Sequence, residues 1–240
     1  MKIRIGLLCI VFLLFATSSF ANGTRGEGYG GFSTGLNLID VEGLNQSTKD
    51  LNLEFGDQQW ALGGLGFGLV GPGVILGGEG YGFSQEVSGD TMTGTLSGGY
   101  GFFNVGYEVF RKKDFFVYPF IGIGGGGYSL RLVQDVDVPD AQTLINDANR
   151  MVEIERGAFL LELGLGAGYL IDMSGFDKKK ESAERGGLFF GFRAGYILDP
   201  ASPSWSFAGS RVRNGPDLKS NIFFVTLQFG GGGGERKPLP

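Results

Sequence analysis

The stretch Phe159-Leu160-Leu161-Glu162-Leu163-Gly164-Leu165-Gly166-Ala167-Gly168-Tyr169 decides how the rest of the chain is read. Phe159, Leu161, Leu163, Leu165, Ala167 and Tyr169 point one way, while Glu162, Gly164, Gly166 and Gly168 point the other. A period of two marks a β-strand, whose successive side chains leave opposite faces of the sheet. Three more stretches repeat the division. Leu188, Phe190, Phe192, Ala194 and Tyr196 oppose Gly191, Arg193 and Gly195. Phe223, Val225, Leu227 and Phe229 oppose Thr226 and Gln228, and Phe103, Val105, Tyr107 and Val109 oppose Asn104, Gly106 and Glu108. A soluble sandwich would bury its bulky face and carry Lys, Glu or Thr on the other. Here the second face is mainly glycine, a poor strand former with nothing to offer a solvated surface. Inverted polarity resolves the pattern. The bulky face meets lipid, and the small or polar face lines a narrow lumen with room for small side chains and a few polar groups.

Outward from these four, the alternation predicts eight strands at about 29–40, 58–70, 74–85, 92–110, 115–132, 157–171, 187–198 and 220–230. Gly71-Pro72-Gly73 and Arg111-Lys112-Lys113-Asp114 break it with turn chemistry. An all-β fold follows: a closed antiparallel transmembrane β-barrel, most simply of eight strands, occupying 22–229, with 230–240 as a glycine-rich flexible tail. The third strand is weakly patterned. Turning Glu79 inward there sends several glycines toward lipid, which predicts a bulge or register change. An even strand count puts both termini on one side. The connections on the opposite side are then 41–57, 86–91, 133–156 and 199–219, three of them long, and those on the terminal side are 71–73, 111–114 and 172–186. Long external loops and short periplasmic turns are the barrel pattern, from which 172–186 departs. Formal charge sorts the same way: the outer connections carry -3, -2, -4 and +1.

Residues 1–21 read as a secretory signal peptide. Lys2 and Arg4 precede an apolar run from Ile5 to Ala16, and Ser19-Phe20-Ala21 supplies small residues for cleavage after Ala21. Cys9, the chain's single cysteine, lies inside the apolar run, so the mature protein has no disulfide to rely on. No later segment approaches the ~20 apolar residues that a membrane helix needs.

Asn104-Val105-Gly106-Tyr107, the run Tyr118-Pro119-Phe120-Ile121-Gly122-Ile123-Gly124-Gly125-Gly126, and Phe223 to Phe229 as a closing strand resemble the small bacterial outer-membrane barrels, the OmpA/OmpX-like eight-stranded proteins. The resemblance implies an outer-membrane location after secretion. The partners it implies are membrane lipid, lipopolysaccharide and the barrel-assembly machinery. In that family the chain usually ends at the aromatic residue of its last strand, whereas here Phe229 is followed by Gly230 to Pro240.

Glu79, Glu108, Glu162 and Arg193 are the charged residues expected inside the barrel. An Arg on the lipid face at mid-membrane costs about 2–4 kcal/mol, so these four should face the lumen, with Arg193 pairing one or two of the acids. An internal ion network plugging the barrel is the leading expectation, a narrow cation path the second. No catalytic, cofactor or metal site is expected. The chain contains no His, which excludes Ser-His-Asp and Cys-His arrangements and histidine zinc sites. The barrel enzymes of this class, lipid A deacylases, palmitoyl transferases and omptin proteases, use His.

The glycine motifs beginning at Gly26, Gly66 and Gly122 lack the following helix of a dinucleotide site. Asp135-x-Asp137-x-x-Asp140 lacks the glycine and closing Glu of a calcium loop. Residues 140–151 suggest a short loop helix, Trp60 and Trp205 interface anchors, and Lys178-Lys179-Lys180 a solvated turn. There is no basic face for nucleic acid, and the outer loops are where a surface ligand would dock. A soluble secreted sandwich or adhesin is the competing class.

Overall fold

The computed structural model describes residues 26–135, 151–173 and 184–235. Its chain runs β1 (Glu27–Asp40), helix α1 (Glu42–Thr48), a 3-10 turn (Lys49–Leu51), β2 (Gln58–Val70), β3 (Val74–Ser88), β4 (Met92–Tyr107), β5 (Phe110–Lys112), β6 (Phe115–Gln134), β7 (Met151–Asp172), β8 (Glu184–Leu198), β9 (Ser206–Phe207), β10 (Ser210–Arg211) and β11 (Lys219–Glu235). The eight long strands are each antiparallel to both neighbours, and pairing of β11 with β1 and of β6 with β7 closes the sheet. Closure matters because an unpaired strand edge has no water to bond in hydrocarbon, and a barrel has no edge. The signal-peptide expectation lies outside the described residues.

The side-chain assignment holds on the four diagnostic strands. Leu163, Phe190 and Tyr196 are 47%, 40% and 49% exposed on the outer face, while Glu162 and Arg193 are 2% and 4% exposed within. Tyr107 and Tyr169 stand outward near the end that carries the termini, and Tyr196 and Trp60 near the other, one ring of aromatics for each membrane border. The fold is therefore an integral outer-membrane-type barrel. Strands β6 and β7 are longer than a bilayer crossing requires, so the loop-end residues of both strands extend beyond the membrane.

Three expectations are corrected. The fourth strand ends at Tyr107 rather than at 110, because its partner β3 begins only at Val74; the chain then turns to pair β5 with β6. The last strand does not stop at residue 230. Gly230 to Gly234 pair with β1, ending at Glu27↔Gly234, and with β8 on the other side. Their backbone groups complete both ladders although they have no side chains to pack. The third strand shows no bulge, since β3 keeps a continuous register with β2 and β4 and turns Gly78, Gly80 and Gly82 to the outside.

The lumen also differs from expectation. It is packed with rings as well as small residues: Tyr29, Phe116, Tyr118, Phe120 and Phe189 are all buried there. Tyr29 stacks on Phe67 with centroids 5.1 Å apart, and Phe116 stacks on Tyr118 at 5.8 Å. Inward glycines make the room. A Cβ on Gly164 would lie 2.8 Å from the Phe120 ring, and one on Gly168 would lie 2.8 Å from Phe189.

At the loop end, α1 forms a lid where sequence suggested only a loop. Leu44 and Thr48, one turn apart, are its buried face, and Leu53 and Phe55 follow into the same core with Ile39, Leu96 and Leu218. The Thr48 hydroxyl bonds the Leu44 and Leu53 carbonyls, while Asn45 both accepts from Phe55 N–H and donates to its carbonyl.

Candidate functional site in the barrel lumen

Glu79 enters from β3, Asn104 from β4, Glu162 from β7 and Arg193 from β8. Alternation turns all four inward, and barrel closure brings β3 and β8, far apart in the sheet order, across the lumen from each other. The Arg193 guanidinium pairs with the Glu79 carboxylate, and its carbon lies 3.5 Å from the centre of the Phe120 ring. Glu79 also accepts hydrogen bonds from the Tyr81 hydroxyl and the Asn104 amide. Glu162 sits beside Asn104: a Cβ built on Gly122, which pairs laterally with both, would lie 2.9 Å from Glu162 Oε2. Glu162 therefore feels the charges of both Glu79 and Arg193. Among the described residues only Glu79 is ion-paired with the guanidinium; Glu162 Oε2 is buried without a hydrogen-bond partner, in a desolvated space where every charge depends on its partner.

Glu108 is the one predicted member that lies elsewhere. It follows β4 at the terminal mouth and belongs to a second cluster. Arg111 pairs there with Glu108 at 2.6 Å and with Glu27 at 3.0 Å, and its guanidinium lies 5.1 Å from the Phe116 ring centre. The Tyr29 hydroxyl donates to Glu27 at 2.7 Å. Burial alone would lower the Arg111 pKa, but the Glu108 hydrogen bond and the Glu27 charge outweigh it and hold the guanidinium above its ordinary value. Reach explains the split, because Glu108 lies past the last inward pair of its strand.

Sequence reasoning missed Glu27, Arg111, and a third pair, Arg156 with Asp199. Arg111 read as a turn residue, and Glu27 preceded the predicted first strand; its shared parity with Tyr29 was the available signal. Arg156 Nη2 meets Asp199 at 2.8 Å and its Nη1 donates to the Leu218 carbonyl at 2.6 Å. Both side chains are buried beneath the loops. Trp60 fits an interface anchor, at 59% exposed, whereas Trp205 is 3% exposed and donates its indole N–H to the Pro216 carbonyl, which makes it loop core.

Asp135 accepts from the Thr93 hydroxyl at 2.8 Å; Asp137, Asp140, the suggested helix over 140–151 and Lys178 to Lys180 lie outside the described residues. Among the described residues no group of three His, Cys, Asp or Glu side chains is placed to hold a metal, and no helix is long and apolar enough to cross a bilayer.

The parts define a class: a closed, eight-stranded transmembrane barrel of outer-membrane type, with ion-paired groups and rings across its lumen. No protein-family model and no curated protein sequence matches the chain. Solved structures similar to it include Ail, the attachment invasion locus protein of Yersinia pestis, at 8% identity and a TM-score of 0.42, covering 88% of this chain and 98% of that one. The outer membrane protein OprG of Pseudomonas aeruginosa aligns at 10% identity and a TM-score of 0.36, over 90% and 97% of the two chains. The outer membrane protease OmpT of Escherichia coli aligns at 8% and 0.34, over 88% and 97%. Strand register and closure, rather than these distant likenesses, define the fold.

Proposed function

We propose that this protein is a non-enzymatic component of the bacterial outer membrane that serves envelope structure and meets its surroundings through its loops. The observation that carries this reading is the obstructed lumen, with the Glu79–Arg193 pair, the Phe120 ring and the Tyr29–Phe67 stack within it and the α1 lid above. A passage would have to part buried ion pairs, which costs several kcal/mol for each uncompensated charge. The lack of His in the sequence supports the non-enzymatic part, since it removes the usual general base. Lipid and lipopolysaccharide are the surroundings of such a barrel. The barrel-assembly machinery is its partner during insertion.

Planar-bilayer recording of the purified full chain tests the reading. Wild type should be silent, and removing the Phe120 and Arg193 side chains together should produce steps. Sustained single-channel conductance in the wild type would replace this reading with a pore. A catalytic turnover abolished by Glu162→Gln or Arg193→Met would overturn the non-enzymatic assignment.

A further inference from the structure

The connection between β8 and β11 is the one outer connection with net positive charge on an otherwise acidic rim. It encloses a groove of about 1030 Å³ whose lining includes Arg156, Arg211, Arg213, Lys219, Asn221 and Trp205. That volume reaches the upper end of the ~300–1000 Å³ range typical of small-ligand sites. Four cations line it against a single lining acid, Asp217. Asp199 neutralises Arg156, and Asp40 meets Lys219 at 2.7 Å. Arg211 and Arg213 have no ion-pair partner among the described residues. Arg156, 5% exposed, keeps a buried Nε without a hydrogen-bond partner. The two guanidinium groups left without an ion-pair partner on the groove wall are what a multiply charged anion would complement.

The groove is also held open by its own framework. Asp199 Oδ1 accepts from the backbone N–H groups of Ala201 and Ser202, Val212 N–H bonds the Trp205 carbonyl at 2.8 Å, and Gly215 lies against the Trp205 ring so closely that a Cβ there would be 2.7 Å from it. A loop ordered before binding loses less freedom when a ligand arrives. Guanidinium groups match phosphate and sulfate oxygens through paired N–H donors, which a lone ammonium cannot do.

We infer that this groove is a binding site for a ligand presenting clustered phosphate or sulfate groups, with Arg211 and Arg213 as its recognition residues and Arg156 as the fixed floor. The inference rests on the surface-contact part of the reading above and names the chemistry of the contact.

The test uses the full chain refolded in detergent micelles and carrying Trp60→Phe, which leaves Trp205 as the sole tryptophan. Inositol hexakisphosphate and sucrose octasulfate are the phosphate and sulfate probes, and Trp205 emission is the readout. A saturable change with either probe supports the site, and their relative affinities tell which group it prefers. R211A/R213A should weaken binding at least about tenfold, the effect expected from losing charge-assisted bonds. Both residues are exposed, so the heat-modified gel shift of a folded barrel should persist. The control K49A/R131A removes two rim cations away from the groove and should bind like the parent. No saturable change with either probe, or equal weakening in the control, overturns the site. Bilayer silence judges the sealed lumen separately, so the two ideas fail on different measurements.

Discussion

On β7 and β8 the outward residues are Leu163, Leu165, Phe190 and Phe192 and the inward ones include Gly164, Gly166 and Gly191, whereas on β2 and β3 Gly64, Gly66, Gly78 and Gly80 face out and Leu65, Glu79, Tyr81 and Phe83 face in. One wall is thick toward lipid and thin toward the lumen; the other is the reverse. Lipid is fluid and fills whatever shape the exterior offers, so an outward glycine leaves no lasting void. The lumen has a fixed volume, and each ring in it needs a recess on the strand beside it. Tyr118 on β6 pairs laterally with Gly166 on β7, and Phe116 with Gly168. Inward glycine thus marks where a neighbouring strand has already supplied the bulk, and outward glycine marks nothing that packing requires.

The comparison can be broken most forcefully at the charge that joins the two walls. Arg193→Ala leaves Glu79 buried without its ion-pair partner, and should cost about 3–5 kcal/mol in equilibrium unfolding from lipid vesicles. A cost near zero would mean that the network carries no structural weight. Next, Leu165→Arg places a charge on the lipid face of the thick wall, where 60% exposure is exposure to hydrocarbon. Its expected cost is about 2–4 kcal/mol in vesicles. A neutral outcome would indicate that this face meets water.

The glycines sharpen the contrast. Gly166→Ala drives a methyl into the Tyr118 ring, within 2.6 Å of its hydroxyl oxygen, and should cost about 1–3 kcal/mol by the same unfolding assay. Gly80→Ala points outward and meets only the Tyr100 carbonyl at 3.6 Å, so its effect should stay within about 0.5 kcal/mol. Equal costs for the two would erase the distinction between the walls.

Much of this was legible beforehand, and for a local reason. The alternation in 159–169 sorts side chains without reference to any other strand, so Leu163 out and Glu162 in followed from parity alone. Glu79 was harder, because facing it inward puts glycine against lipid, which predicts a bulge or register change; the register instead runs on unbroken and the glycines face out. Glu108 obeyed its parity and still met a different partner, because its height in the barrel depends on where β3 and β4 separate. The α1 lid was illegible, since Leu44 and Thr48 are too few to announce a helix until Leu53, Phe55 and Leu218 surround them. Gly230 to Gly234 carry no side-chain signal, and only the presence of β1 and β8 on both sides makes them strand.

The chain by itself determined the strand period, the chemistry of each face and the absence of a histidine-based site, because these depend on residue type and on spacing of two. Only the tertiary structure decided which inward groups meet: Glu79 with Arg193, Arg111 with Glu108 and Glu27, Arg156 with Asp199. Closing a sheet brings together residues as far apart in sequence as Glu79 and Arg193, at heights set by strand register, and register is a property of pairs of strands that no single strand carries.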